Sequence, residues 1–351
     1  MNKTIRIKDI AVKANVSTGT VDRVIHNRGN VTDAVKERVL RIIEELDYQP
    51  NMMARALGTN KIHTLAALIP DPAFDTYWLA PKLGIERAEK EVSQYGIRVQ
   101  KFLFNPYDSA SFIEKAEELS GINPGGILLS PIFYREALPF FERWSSLKIP
   151  FVLFNTQITE FDPLSFIGQD LYQSGVLAGK LVHYGQSKPC KVLIAQFDED
   201  ISNAAHLQKK EEGFRAYFQK HQLMQDFEIL RAELSTADSL VFNLGLQQII
   251  KNNPTLAAIY VTTSKAFKIA GFLEEKEIKH IKLIGYDLLP QNKQYLEKGL
   301  ISFLINQNPE GQGYWGISLL TDHLMFKKKV PTVKFLPLDV VTSENLEYFS
   351  A

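Results

Sequence analysis

Two successive series of short apolar runs, each run followed by a helical stretch, restrict this chain to a narrow set of folds. The first series falls at residues 64–70, 97–104, 126–130 and 150–155, and the second at 190–197, 226–232, 256–261 and 282–287. Helical periodicity fills intervening stretches at 83–92, 112–119, 171–182 and 239–250. Alternating strand and helix predicts parallel sheets with helices on both faces, and two series in tandem predict two similar lobes. Ligands in such sheets bind beyond the carboxyl ends of the strands, which puts a site in the cleft between the lobes.

The 351 residues are enough for about two or three domains. With 45% hydrophobic and 23% charged residues the composition is that of a soluble globular protein. No apolar run approaches the ~20 residues that span a bilayer. The first nine residues carry positive charge without an apolar core behind them, so a secretory signal is not expected. A single cysteine, Cys190, rules out an intrachain disulfide and fits a reducing compartment; the cytoplasm is the expected location, with no membrane association. Of the 40 Lys/Arg and 40 Asp/Glu, residues 1–60 hold ten and seven, leaving 30 and 33 behind them. That small basic excess at the N-terminus is a weak nucleic-acid signal by itself.

The first sixty residues give it weight. Ile7, Ile10, Ala11 and Ala14 share a helical face, Asn15-Val16 breaks it, and Ser17 stands where an N-cap belongs. Val21, Val24 and Ile25 continue an apolar face. After Asn27-Arg28-Gly29-Asn30, Thr32 is a second N-cap candidate before a third helix marked by Val35, Val39, Ile42, Ile43 and Leu46. Two helices joined by a tight turn form a helix-turn-helix, whose second helix would lie in the major groove. Its outward positions are Thr18, Gly19, Asp22, Arg23 and His26. Arg23 can make a forked contact to a guanine edge, and Ser17 and Thr20 can reach phosphates. Periodicity alone also allows a three-helix bundle used for protein contacts. Beyond it, Pro50 can open and Gly58 can close a helix of barely two turns, too short to persist alone in water. Leu57, near its end, is either a wedge for the minor groove or a linker residue packed on the head.

Ile7-Lys8-Asp9-Ile10-Ala11, Ala14-Asn15-Val16-Ser17, Thr20-Val21-Asp22-Arg23-Val24, Tyr48-Gln49-Pro50-Asn51 and Ala54-Arg55-Ala56-Leu57-Gly58 resemble the head and hinge of the lactose-repressor (LacI) family, without gaps over about fifty-five residues. The resemblance implies a homodimer on near-palindromic double-stranded operator DNA, with paired hinge helices that fold on the operator. It implies Thr18, Gly19 and Arg23 as the base-reading set and Leu57 as the minor-groove wedge, with Asn51 and Ala54 beside it at the DNA. Gly19 has no side chain to read with, and Asp22 stands where many relatives carry a small hydroxyl residue. No zipper pattern follows Phe349, so a dimer rather than a tetramer is expected.

In the body, the predicted strand ends gather aromatic and hydrogen-bonding residues. Asp71, Phe74, Asp75, Tyr77 and Trp78 follow the first strand and Asn155 the fourth. Asp198, Asn203, Lys210, Thr262-Thr263-Ser264, Asp287 and Asn306-Gln307-Asn308 belong to the second half. Flat rings and uncharged or acidic hydrogen-bonding groups suit a sugar or another polyol. The body also resembles the type I periplasmic-sugar-binding-protein fold, two Rossmann-like lobes, which this regulator family carries. That likeness implies Asp75, Tyr77, Trp78, Asn155, Lys210, Thr263, Asp287 and Gln307 as ligand-binding residues. Two departures stand out: Lys210 replaces an arginine, losing the planar fork, and Thr263-Ser264 replaces an Asn-Asp pair. A different ligand follows, and a lysine there would suit an acidic or phosphorylated sugar. The expected bounds are a head at 1–49, a hinge at 50–61 and a body at 62–351, with lobe one at 62–168 and 303–328 and lobe two at 169–302 and 329–351.

Gly311-Gln312-Gly313-Tyr314-Trp315-Gly316 matches the dinucleotide spacing GxGxxG, but Pro309 would start a helix ahead of it and place these glycines in helix packing. The seven histidines are scattered, and with one cysteine no metal site is expected. No phosphate-cradling loop or nucleophile elbow appears, so neither a cofactor nor catalysis is expected. The reading is a DNA-binding regulator, expected to repress, whose operator affinity answers to a carbohydrate-like ligand. The alternatives are a carbohydrate-binding transport component, or a sugar-processing enzyme fused to a helix-turn-helix.

Overall fold

The computed structural model describes residues 5–25, 28–46, 63–158, 160–186, 189–197, 205–235 and 237–349. The expected DNA contacts His26, Asn51, Ala54 and Leu57, with the whole hinge at 50–61, lie outside these residues, as do Asp198 and Asn203. The chain divides into two units, Met1–Thr59 and Asn60–Ala351.

The first unit contains α1 (Ile7–Ala14), α2 (Thr18–Ile25) and α3 (Asp33–Glu45). Ile10, Ala11, Ala14, Val21, Val24, Val39 and Ile42 form its core, and together they are the apolar face that the periodicity marks. Helix α1 stops because Asn15 takes a left-handed conformation (φ 52°) and the Val16 N–H turns back to the Ala11 carbonyl. Ser17 then caps α2: its Oγ accepts the Thr20 N–H at 3.1 Å. Thr32 occupies the N-cap position of α3, but its side chain makes no cap bond there; its carbonyl accepts the Val35 and Lys36 N–H groups instead. Lys13 on α1 pairs with Glu45 on α3 at 2.9 Å.

The second unit holds two sheets. The strands are β1 (His63–Pro70), β2 (Ile97–Phe104), β3 (Gly126–Leu129), β4 (Phe151–Phe154), β5 (Ser165–Gly168), β6 (Cys190–Phe197), β7 (Phe227–Leu234), β8 (Leu256–Val261), β9 (Lys282–Tyr286), β10 (Phe303–Asn306), β11 (Val333–Phe335) and β12 (Asp339–Val341). The first sheet has the order β11-β5-β4-β3-β1-β2, and the second β12-β10-β9-β8-β6-β7. Every pairing is parallel except that of β10 with β12. The helices are α4 (Leu79–Val92), α5 (Ser109–Gly121), α6 (Tyr134–Ser146), α7 (Leu171–Tyr184), α8 (Ala205–Lys220), α9 (Ser239–Asn252), α10 (Ala266–Glu275), α11 (Pro290–Glu297) and α12 (Pro309–Leu324). The central strands are buried apolar runs, as sheets covered on both faces require.

The lobes are therefore two doubly wound α/β layers, with one correction to their expected bounds. Strand β10 pairs with β9 and belongs to lobe two, while β11 pairs with β5 and belongs to lobe one. The chain crosses between lobes after β5, after β10 and after β11, and sheet hydrogen bonding rather than sequence position decides each assignment. Gln169, in the first crossing, donates its Nε2 to the Asn306 carbonyl in the second (2.7 Å) and to the Pro337 carbonyl in the third (3.0 Å).

Pro309 begins α12, so the GxGxxG glycines sit in helix packing. Helix α12 lies across α4, where a Cβ on Gly313 would overlap the Pro81 carbonyl. Lobe two repeats this crossing with α7 on α8, where a Cβ on Gly175 would overlap the Lys210 carbonyl.

Candidate ligand pocket and nucleic-acid interface

On α2 and its cap, Ser17, Thr18, Gly19 and Arg23 are exposed and Thr20 is half-buried. The Ser17 and Thr20 hydroxyls share a hydrogen bond of 2.9 Å, so the cap carries a fixed pair of hydroxyls at the helix N-terminus. A helix N-terminus with exposed N–H groups favours an anion such as a phosphate. Gly19 leaves a gap: a Cβ there would meet only Ser17 Oγ, at 3.8 Å.

Between the lobes lies a cavity of about 240 Å³. All eight residues expected at a ligand line it: Asp75, Tyr77, Trp78 and Asn155 from lobe one, Lys210, Thr263 and Asp287 from lobe two, and Gln307 beside the second crossing.

The lobe-one wall is built from the turn after β1. Asp75 Oδ1 accepts the Tyr77 N–H at 3.0 Å and shapes a short 3₁₀ turn, Thr76–Trp78, that leads into α4. The Tyr77 and Trp78 rings meet edge to face, 4.9 Å between centroids at 88°, and Trp78 packs its edge toward Phe154. Asn155 Nδ2 donates to the Tyr77 hydroxyl at 2.8 Å and fixes that ring. Burial, reinforced by the charge of Asp287, holds the Tyr77 phenol well above its usual pKa. Tyr77 is neutral at any physiological pH and offers a hydroxyl, not a charge.

The lobe-two wall centres on Asp287, which is 1% exposed. Gln307 grips both of its oxygens, donating its backbone N–H to Oδ1 at 3.2 Å and its Nε2 to Oδ2 at 2.8 Å. Gln312 Nε2 in turn donates to the Gln307 carbonyl at 2.9 Å. Burial raises the Asp287 carboxyl to about 6, against the opposing pull of Lys210 and of the Gln307 bonds. Lys210 is 3% exposed; its Nζ donates to the Thr262 carbonyl at 3.0 Å and lies 3.7 Å from the centre of the Tyr286 ring. The Tyr286 hydroxyl shares bonds with Ser174 (2.6 Å) and Tyr260 (2.7 Å), and burial pushes its pKa far up.

Several contributors escape the sequence reading. Tyr107 and Phe133 follow β2 and β3, and Lys265 follows β8, so all three line the cavity from strand ends where the same rule could have found them. Pro106, Ile132 and His206 also line it. Asn292 is a different case. Fully buried, its Nδ2 donates to the carbonyls of Ser264 (2.8 Å), Tyr286 (2.9 Å) and Asp287 (3.1 Å), and its Oδ1 accepts the Phe267 N–H at 2.8 Å. It ties the 262–265 wall to Asp287 without touching the cavity. Other strand-end residues stay out of the pocket: Asp71 accepts the Ala73 N–H, Phe74 is exposed, and Asn308 caps α12 at Gly311.

Among the described residues no group of three or more His, Cys, Asp or Glu side chains could hold a metal ion, and no helix is long and apolar enough to cross a membrane.

Two family profiles match the chain: bacterial regulatory proteins of the lacI family over residues 6–51, and a periplasmic binding protein domain over residues 66–328. The HTH-type transcriptional regulator MalR of Streptococcus pneumoniae is 27% identical over 199 residues, 53% of this chain and 55% of its own, so the chain spans about half of that relative. The ribose operon repressor of Lactococcus lactis is 25% identical over 350 residues, 97% of each chain. A Bacteroides fragilis protein whose crystal structure is described as that of a LacI transcriptional regulator superposes with a TM-score of 0.78 at 30% identity, covering 82% of this chain and 99% of that one.

Proposed function

Because the chain belongs to the lacI family of bacterial regulatory proteins and carries a periplasmic-binding-protein body, we propose that it is a sugar-responsive repressor whose cleft ligand changes its affinity for operator DNA. The observation that carries this reading is the pocket itself. Four aromatic rings (Tyr77, Trp78, Tyr107 and Phe133), two carboxylates, an amide from Asn155 and another from Gln307 converge on one cavity between the lobes. Rings stack on the C–H faces of a sugar and the polar groups pair its hydroxyls. The operon names of the relatives, ribose among them, point the same way.

The ligand we infer is uncharged. Lys210 is already committed to the Thr262 carbonyl and the Tyr286 ring, and its charge is set against Asp287. An acidic or phosphorylated sugar would meet Asp75 and Asp287 in the same cavity with that lysine already engaged. The regulator works as a homodimer in the cytoplasm in this reading. Exposed Leu79 and Leu83 on α4, and Leu240, Val241 and Leu244 on α9, supply apolar surface for a second copy. Thr18 and Arg23 read bases, Ser17 and Thr20 hold phosphates, and the segment carrying Asn51, Ala54 and Leu57 contacts the minor groove. Ligand and DNA are then linked by a coupling free energy, reciprocal between the two sites.

The test is selection and sequencing of genomic fragments bound by the full chain, with Leu57→Ala run in parallel and a panel of neutral and acidic monosaccharides added to each. A near-palindromic site recovered by the parent, lost in the variant and shifted in occupancy by a neutral sugar supports the reading. Failure to recover any site, with or without sugars, sinks it.

A further inference from the structure

The mouth of the cavity carries a contact between the lobes. Tyr107 follows β2 in lobe one, and Lys265 follows β8 in lobe two. Lys265 Nζ donates to the Tyr107 hydroxyl at 3.1 Å and stands 5.0 Å from the centre of its ring. The Tyr107 hydroxyl donates to Asp75 Oδ2 at 3.5 Å. A polar chain, Asp75 to Tyr107 to Lys265, therefore runs from one lobe to the other at the rim of the pocket.

The charges explain why a bridge belongs there. Asp75 and Asp287, one carboxylate from each lobe, line the same cavity, where like charges repel. With nothing between them they push the lobes apart. Lys210 offsets this on the Asp287 side from within lobe two. On the Asp75 side the compensating cation is Lys265, which reaches across from the opposite lobe through the tyrosine hydroxyl. The cavity behind this bridge, about 240 Å³, is smaller than the roughly 300–1,000 Å³ of ordinary ligand pockets.

The geometry points to a clasp: Tyr107 and Lys265 hold the lobes together at the rim of the pocket, so that ligand enters only when they part and is limited to a single-ring polyol that fits within the cavity they border. The size limit rests on the reading of the cavity as an effector site; the closure does not.

Closure is measured first, without any ligand. In the full chain with Cys190→Ser, nitroxide labels at Ser145→Cys on α6 and Gln219→Cys on α8, both exposed positions, report the distance between lobes by pulsed electron resonance. A single charge-assisted hydrogen bond at a half-exposed site is expected to move the open-to-closed ratio by roughly three- to tenfold. Lys265→Met and Tyr107→Phe should each shift the distribution toward longer distances by that amount. Lys268→Met, which removes a nearby lysine lying over the Phe267 ring, should not. Identical distributions for the parent, Lys265→Met and Tyr107→Phe would overturn the clasp. The size limit is then read by thermal shift with matched monosaccharides and disaccharides. Stabilisation of the parent by monosaccharides alone, with disaccharide binding gained in Tyr107→Ala/Lys265→Ala, supports it. A parent that binds disaccharides equally well overturns it. Binding of no sugar at all overturns the effector reading and the size limit with it, while the distance result stands on its own.

Discussion

Asn155 and Asp287 occupy the same backbone state at the same place in two different sheets. Their φ angles are 66° and 65°, each follows the third strand in the order of its sheet, β4 or β9, and each N–H bonds the next strand, at Ile167 and Ile305, at 3.1 Å. Asn and Asp are the side chains that tolerate left-handed backbone best, so each lobe turns a short polar group into the cleft at little conformational cost.

The first prediction uses this left-handed turn. Asn155→Gly keeps the left-handed turn and loses the bond to Tyr77, while Asn155→Ala loses both. The alanine variant should be less stable than the glycine variant by about 1 kcal/mol in urea denaturation, the reverse of their order in a helix. Equal midpoints would mean that the turn is not held left-handed.

Asp287 gives a pH dependence. Its carboxyl titrates near 6 when folded and near 3.8 when unfolded. Between those values the folded protein binds a proton that the unfolded chain has released. Its contribution to stability is therefore fully present at low pH and is lost as pH rises from about 4 to about 6. The loss is on the order of 1–3 kcal/mol. Asp287→Asn, which suits the same left-handed backbone, should flatten that part of the stability curve. A parent curve without this fall would contradict the burial of a charge at Asp287.

Lys210 should show the complementary behaviour. Its cation matters to Asp287 only when the carboxylate is ionised. Lys210→Met should cost roughly 1–3 kcal/mol at pH 7 and distinctly less at pH 5, measured by denaturation at the two values. It should also move the Asp287 titration upward. An equal cost at both pH values would assign the loss to packing on Tyr286 rather than to charge.

In the head, Arg23→Ala should cost roughly 1–3 kcal/mol at one base pair of the selected operator and relax the preference there. Gly19→Ala should fold at least as well as the parent, with a gain of up to about 1 kcal/mol, because its Cβ meets only Ser17 Oγ at 3.8 Å. Competition binding with single-base operator variants measures the first, and thermal unfolding measures the second. An unchanged base preference would remove Arg23 from the reading set.

Features set by local pattern were legible in the sequence. The Ser17 cap, the eight strands of the two series and the helix that begins at Pro309 follow from capping, periodicity and proline geometry over a few neighbouring residues. Strands β10 and β11 went to the wrong lobes in the expected bounds, because the lobe of each is decided by its pairing with β9 and with β5, which nothing local to a run of three or four residues records. Asp75, Tyr77 and Asp287 announced themselves as polar or aromatic residues at strand ends. Tyr107 and Lys265 stood at strand ends as well, but their meaning depends on each other across a cleft, and nothing local to either residue encodes that. Asn292 is the extreme case: its work is done on the carbonyls of Ser264, Tyr286 and Asp287, and carbonyls carry no sequence identity.

Gln169 gives the body its mechanics. Three separate strings of chain between the lobes would let them slide, twist and open independently. A single buried amide that holds the second and third strings from the first turns them into one spine. For lobes joined by such a spine the motion opposed least would be a swing like the covers of a book, and whatever grips the open edge would set the angle for the whole length of the binding.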